Sequence, residues 1–477
     1  MSERPFWQLS ACDQAARLTK GEVSANEALE QTLDRVDAVN PKLNAIVQDL
    51  SDEARSDAKR LDEAFANNGP VGPLHGVPVT IKVNIDQTGH ATTNGLVALK
   101  DAIAIGDAPV VTNLKKAGAV VFGRTNTPEF SFRGSTDNEL HGRTFNPWND
   151  WASAGGSSGG AGAAVMSGMG SLAHGNDIAG SVRYPSTANG ATSVKPGLGR
   201  VPSYNPTQTV ERGLMAQLMS VQSVLAREVR DVRLGLQTLV GFDPHDPWQV
   251  PLPLDKPFGD ATDMAKPKIA FSKDTFEFDL HPAVEEALES AREALIKAGY
   301  EVENVEPPKV REIADEAAKT LFGEVKVLLD ADVRRVGSAD INRVFDNYYE
   351  LTPPHTGDDL LRAMAKRSHY VRQWTLFLQD YPMVLSPYMP GETWAWDRDL
   401  QGIEGAREVL SAGVWSISMN YLGLPAGNVP ANYNNGLPVG IQIIGRRFRE
   451  DQVLDACEAI ERHVGVMAEH LFAREGA

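Results

Sequence analysis

The sequence predicts an α/β protein folded around one sheet. Two observations carry this. From Leu74 onward, short β-rich runs alternate with helical stretches: Val77–Val83 as strand, 110–117 as helix, 119–123 as buried strand. Strand-like segments also recur near the end of the chain, at 437–445, so the two ends are expected to share a sheet rather than form independent domains. A chain of 477 residues is long enough for one large domain or for two to three smaller ones.

The first seventy residues read as helical. Ser10 is placed to cap a helix running to Lys20, with Gly21 as its stop. Ser24 and Glu27 form a capping box, and Ala28, Leu29, Leu33 and Val36 follow at helical spacing until Pro41 ends the run. A third helix follows Ser51 and stops at Asn67-Asn68-Gly69-Pro70. Beyond the first strands, Ala161 to Ser167 is a helix of small residues. Asp243 to Lys266 is proline-rich and polar, a surface connection. A strand restarts at Lys268–Phe271. Val284, Ala287, Leu288, Ala291 and Leu295 mark an amphipathic helix closed by Gly299, followed by a strand near 300–305. Residues 311 to 380 are helical and irregular, and Asp451 to His463 is the last clear helix.

Composition excludes several classes. A net charge of −17 disfavours a large nucleic-acid surface, which needs a basic field against phosphates. No run of eighteen apolar residues predicts a membrane span, and the first residues lack the apolar core of a signal peptide. The only cysteines, Cys12 and Cys457, sit outside any C-x-x-C pattern, so they read as ordinary thiols in a reducing compartment. A cytoplasmic protein is the expectation.

The stretch from Trp151 to Arg200 is the most informative. Two serine-bearing glycine loops, Gly155–Gly160 (GGSSGG) and Ile178-Ala179-Gly180-Ser181, flank a run of small residues. Glycine this dense is conformationally costly and suits backbone that must approach something closely, as in an active-site floor. The first loop also fits G-x-S-x-G, with Ser158 as nucleophile, but 146–152 does not read as the buried strand that a nucleophile elbow needs. The second loop is the better nucleophile site: Ser181 follows small residues whose successive N–H groups could form an oxyanion nest, although a plain glycine turn looks the same in isolation. Lys82 lies within an apolar strand, where desolvation would lower its pKa and make it a base; taken alone, it reads more readily as a lysine on the solvent face of an edge strand. His174, seven residues before Ser181, is a second base candidate or simply a polar loop residue.

Taken together, these residues resemble the amidase signature family. The matching pieces are Gly76-Val77-Pro78 leading to Lys82, Gly123–Phe130, GGSSGG at 155–160, Gly180–Arg183, Lys195–Arg200 and Gly436–Gln442. Their order and spacing are specific: 75 residues separate Lys82 from Ser157 and 24 separate Ser157 from Ser181. The likeness covers most of the chain and is weakest between about 205 and 410. It implies a single α/β domain over 1–477, with a mixed twisted central sheet covered by helices on both faces. Within it, 1–70 would be an N-terminal helical segment, 71–240 the catalytic core, 241–410 a variable substrate-channel region, and 411–477 the C-terminal sheet and helix.

The resemblance also implies a Ser–cis-Ser–Lys triad: Ser181 as nucleophile, Ser157 as bridging serine after a cis peptide bond, Lys82 as base. Backbone N–H groups of Ile178, Ala179, Gly180 and Ser181 would form the oxyanion hole, with Ser158, Asp177 and Arg183 fixing the loops. No metal or organic cofactor is expected. The implied partner is a small-molecule amide, not nucleic acid or membrane, and relatives are often homodimers. Family members commonly carry T-D-T-G-G-S before the nucleophile; this chain has Asn176-Asp177-Ile178-Ala179-Gly180-Ser181. The methyl of Ala179 would narrow the acyl pocket, and with the acidic charge it argues against the alternative, a glutamine-hydrolysing transamidase subunit supplying ammonia to a partner. A non-catalytic binding module is a third reading, against which the intact triad counts. Ten aromatics lie between Phe345 and Trp396, within the segment that helps line the substrate channel in the family. Those that face the channel would suit an apolar or aryl amide; the others would be core or dimer-contact residues.

Overall fold

The computed structural model describes residues 4–254 and 266–475. Its centre is an eleven-stranded mixed sheet: β1 (Ile46–Asp49), β2 (Pro78–Lys82), β3 (Val120–Thr125), β4 (Leu172–Asp177), β5 (Thr192–Lys195), β6 (Val221–Ala226), β7 (Ile269–Phe271), β8 (Val302–Asn304), β9 (Met383–Pro387), β10 (Ala426–Asn434) and β11 (Leu437–Gly445). The spatial order is β1-β3-β2-β4-β6-β5-β10-β11-β9-β7-β8. β2 runs parallel to β3 and β4, and β7 runs parallel to β8 and β9; the remaining pairs are antiparallel. Strands β1–β6 form one side of this sheet and β7–β11 the other, joined by the β5–β10 pairing, so both parts of the chain share the single mixed α/β domain expected.

Alternation along the strands shows why helices cover both faces. Ile269, Phe271, Met383, Leu385, Ile441 and Ile443 join one core cluster, with helices Pro109–Lys116, Val229–Leu239, Pro282–Lys297 and Glu450–Val464. Their neighbours Ala270, Val384 and Ile444 join another, with helices Val310–Leu328, Gly357–Asp380 and Val414–Leu422. A period of two with apolar residues on both sides is the signature of a strand buried on both faces.

Several helix signals act as the sequence predicts. Ser10 Oγ accepts from the Asp13 N–H, and the Ser24–Glu27 capping box is closed in both directions. Other expectations are corrected. The second helix, Ala25–Leu43, runs through Pro41. The one ladder bond Pro41 removes would end on the carbonyl of Asp37, an exposed residue open to water. The helix ends instead at left-handed Asn44, where Asn40 Oδ1 accepts from the N–H groups of Ala45 and Ile46. The N-terminal segment also contributes β1, an edge strand too short to show a period of its own. A further helix, Ala468–Glu475, follows the one ending at Val464. The connection expected over 243–266 is irregular as far as Leu254, and 255–265 lies outside the described residues.

Candidate active site

Lys82 ends β2, a central strand between β3 and β4, and is fully buried (0% exposed). The edge-strand alternative is thereby removed. Alternation turns Val79 and Ile81 into the apolar core and Lys82 to the opposite face. The parallel register pairs Val79 with Leu172 and Thr80 with Ala173; continued, it sets Lys82 beside Gly175 and Asn176 on β4. Burial pushes the Lys82 pKa well below its usual value, against the pull of the nearby Asp177 charge.

Three side chains surround Lys82 Nζ: Ser157 Oγ at 2.7 Å, Asn176 Oδ1 at 2.9 Å and Ser158 Oγ at 3.1 Å. The Gly156–Ser157 peptide bond is cis. Gly156 must be glycine here, because a Cβ would collide with the carbonyl oxygen of Arg133. The Ser158 N–H donates to the Ser181 carbonyl at 3.1 Å, which ties the two serine loops together. Behind the first loop the helix Gly159–Met166, built of small residues and wholly buried, packs against β4 and the helix Arg183–Asn189.

The second loop leaves the end of β4. Asp177, fully buried, gathers it: Oδ1 accepts from the Gly180 N–H at 2.8 Å and Oδ2 from the Val182 N–H at 3.1 Å. Arg183 grips the same carboxylate through Nε at 3.1 Å and Nη2 at 3.0 Å. Burial works to raise the Asp177 pKa, but Arg183, Lys195 and the Gly180 N–H outweigh it and hold the carboxylate well below its usual range. Gly180 sits at φ +116°, and a Cβ there would meet Tyr388 and Ser416.

Of the four backbone N–H groups expected to face an oxyanion, that of Gly180 donates to Asp177 Oδ1. Ser181 lies on the wall shared by two cavities. One, about 820 Å³, has many polar side chains, including Asn84, Ser157, Asn176 and Gln222. The other, about 360 Å³, is walled by Phe132, Tyr184, Tyr348, Tyr388, Trp394 and Ile417. Lys82 and Ser157 are in direct contact; among the described residues no hydrogen bond joins the Ser157 and Ser181 hydroxyls.

Of the aromatics between Phe345 and Trp396, Tyr348, Tyr388 and Trp394 face this smaller cavity. Phe345, Tyr370 and Trp374 belong to the core instead. His174 is buried on β4, hydrogen-bonded to Gln222 at 3.0 Å, with its pKa pushed down by burial to about 3. Among the described residues its ring makes no hydrogen bond to either serine loop. Among the described residues, no group of three or more His, Cys, Asp or Glu side chains is placed to hold a metal ion.

Sequence reasoning missed the supports behind the loops. Asn176 and Asn84 form a reciprocal amide pair, at 3.0 and 3.3 Å. Ser416 Oγ accepts no loop donor but donates to the Ala179 carbonyl at 2.8 Å, and Asn420 Nδ2 donates to the Asp177 carbonyl at 3.1 Å. Arg183 Nη1 reaches Gln442 on β11 at 2.7 Å. The available signal was Ser416, Ser418 and Asn420 in a helix whose other residues are mainly apolar, since buried polar groups need partners.

A neutral buried amine beside a hydroxyl, with a second serine on a loop rich in backbone donors, can perform acyl transfer without a histidine. The comparisons set the chain among amide-cleaving enzymes. The Amidase family profile matches residues 27–454. The chain is 46% identical over 471 residues to the indoleacetamide hydrolase of Bradyrhizobium diazoefficiens, covering 98% of this chain and 89% of that protein. It is 35% identical over 468 residues to an acylamidase of Rhodococcus erythropolis, covering 95% of each. Among solved structures, a bacterial aryl acylamidase of the amidase signature enzymes superposes with a TM-score of 0.85 at 26% identity, covering 99% of this chain and 100% of that one. The fold and these relatives define a hydrolase acting on amide C–N bonds. The chain belongs to the amidase signature family.

Proposed function

We propose that the protein hydrolyses a small aryl-bearing carboxamide, an arylacetamide by preference, to the carboxylic acid and ammonia or an amine. The observation that carries the catalytic part is the 2.7 Å contact between Lys82 Nζ and Ser157 Oγ in a fully buried setting. In this reading neutral Lys82 takes the proton of Ser157 while Ser157 takes that of Ser181. The Ser181 oxygen then bonds to the amide carbon. The N–H groups of Ile178, Ala179 and Ser181 hold the oxyanion, at about 3 kcal/mol for a well-aimed donor. Ser157 returns a proton to the leaving nitrogen as the C–N bond breaks, and water releases the acid from Ser181. Asp177 and Arg183 keep the loop in shape, and Ser158 holds Lys82.

The substrate part is supported by the aromatic wall of the smaller cavity and by the likeness to an indoleacetamide hydrolase. A cavity of about 360 Å³ is within the size range of small-ligand pockets. The two free thiols suit a reducing cytoplasm, and a homodimer is the assembly proposed by family habit. The test is a panel of short aliphatic, aryl and ureido amides with products read by mass. Arylacetamides should be cleaved fastest, with ammonia released by the chain alone. Cleavage confined to aliphatic amides would overturn the substrate assignment, and ammonia release only with a partner would favour transamidation.

A further inference from the structure

We propose that Asn176, held by Asn84, is the positioning residue that turns the Lys82 lone pair toward Ser157; this rests on the catalytic reading above. A neutral amine has two N–H bonds and one lone pair, and Lys82 Nζ has three neighbours. Asn176 Oδ1, at 2.9 Å, can only accept, so it takes one N–H. Its orientation is fixed by the amide pair: Asn176 Nδ2 donates to Asn84 Oδ1 at 3.0 Å, and Asn84 Nδ2 donates back at 3.3 Å. Flipping Asn176 would set two amide nitrogens against each other. Asn84 is held in turn, since its Nδ2 also donates to Ser131 Oγ at 2.9 Å and Ser131 donates to Asn94 Oδ1 at 2.7 Å.

Ser158 Oγ directs its own hydrogen to the Asn176 carbonyl at 3.4 Å, so it accepts the second N–H of Lys82. The lone pair is then left for Ser157, the nearest partner. When the Ser157 proton crosses to Nζ, the ammonium donates to all three oxygens, and Ser157 is made neutral again by the Ser181 proton. Asn176 thus accepts from Lys82 in both protonation states. A threonine, the residue common here in the family, carries a hydroxyl that could itself donate to Nζ and compete for the lone pair; an amide oxygen cannot.

The charged and titratable groups around Lys82 do not supply this direction. Asp177 is tied to Arg183, His174 is neutral and bonded to Gln222, and Arg124 on β3 is spent on Gln48 and the carbonyls of Ile85 and Ala91. Lys195, whose pKa burial lowers to about 7, is held to the carbonyl of Pro196 and makes no hydrogen bond to Lys82 among the described residues.

The experiment compares Asn176→Ala, Asn176→Asp and Asn84→Ala with the wild type, by kcat and KM on phenylacetamide and by the pH dependence of Ser181 labelling with a fluorophosphonate. Asn176→Ala should lower kcat about 10- to 100-fold with KM within twofold. Asn176→Asp should move the acid limb of labelling upward by about one pH unit or more, because the carboxylate favours the ammonium. Asn84→Ala should lower kcat in the same direction by a smaller factor, and it carries the test if the 176 variants do not fold. Wild-type kcat and an unmoved acid limb in folded variants would overturn the proposal. Failure of the wild type to label at Ser181 would overturn the catalytic reading itself, a distinct result.

Discussion

Asp177 and Arg183 form a fully buried, two-point ion pair, with Nε on Oδ2 at 3.1 Å and Nη2 on Oδ1 at 3.0 Å. The same carboxylate holds the N–H of Gly180, and the same guanidinium reaches the carbonyl of Ser416 and the side chain of Gln442. One pair therefore joins the loop bearing Ser181 to the helix Val414–Leu422 and to β11.

Breaking that pair from one side leaves a buried charge without its partner. Arg183→Met should cost about 3–5 kcal/mol of stability. The urea midpoint of the folded protein measures this, and a loss below about 1 kcal/mol would show that the loop is held by other contacts.

Ser181→Ala removes the proposed nucleophile and little else, since among the described residues the Ser181 side chain donates no hydrogen bond that closes the loop. We expect kcat to fall by about 10⁴-fold or more with Tm within about 2 °C of wild type. Retained turnover would transfer the role to another residue.

Lys82 ties catalysis to pH. Its folded pKa lies below the unfolded value of about 10.4, so the unfolded chain binds more protons in the interval between them. Its contribution to stability is therefore present above the unfolded value and lost as pH falls through the folded one. Lys82→Met abolishes this dependence along with turnover. The Tm of the variant minus that of the wild type should be largest at low pH and shrink toward pH ~10. A gap independent of pH would contradict the buried neutral amine. In the wild type, kcat/KM should fall on acidification as Lys82 gains its proton.

Ala179 borders the smaller cavity. Ala179→Gly removes one methyl and should favour a larger ring: the ratio of kcat/KM for naphthaleneacetamide over phenylacetamide should rise about 10-fold. An unchanged ratio would place the ring elsewhere.

The local chemistry was legible because it is carried by residue types at fixed spacings. The capping box at Ser24–Glu27, the strand around Lys82 and the glycine loops at 155–160 and 178–181 each announce themselves within a few residues. Pro41 misled, because a proline one turn from a helix end costs only a bond that water replaces. β1 was missed for a related reason: four residues at an edge carry too little periodicity to separate from helix.

By itself, the sequence determined the α/β class, the family likeness and the three residues proposed to do the chemistry. Tertiary structure decided what those residues face. Whether Lys82 is buried depends on β2 lying between β3 and β4, a pairing across nearly a hundred residues. The commitment of the Gly180 N–H to Asp177, the amide pair of Asn84 and Asn176, and the aromatic wall around Tyr388 and Trp394 arise from contacts between distant segments. Hydrogen bonds and burial are set by distance in space, and no local pattern in the chain encodes that distance.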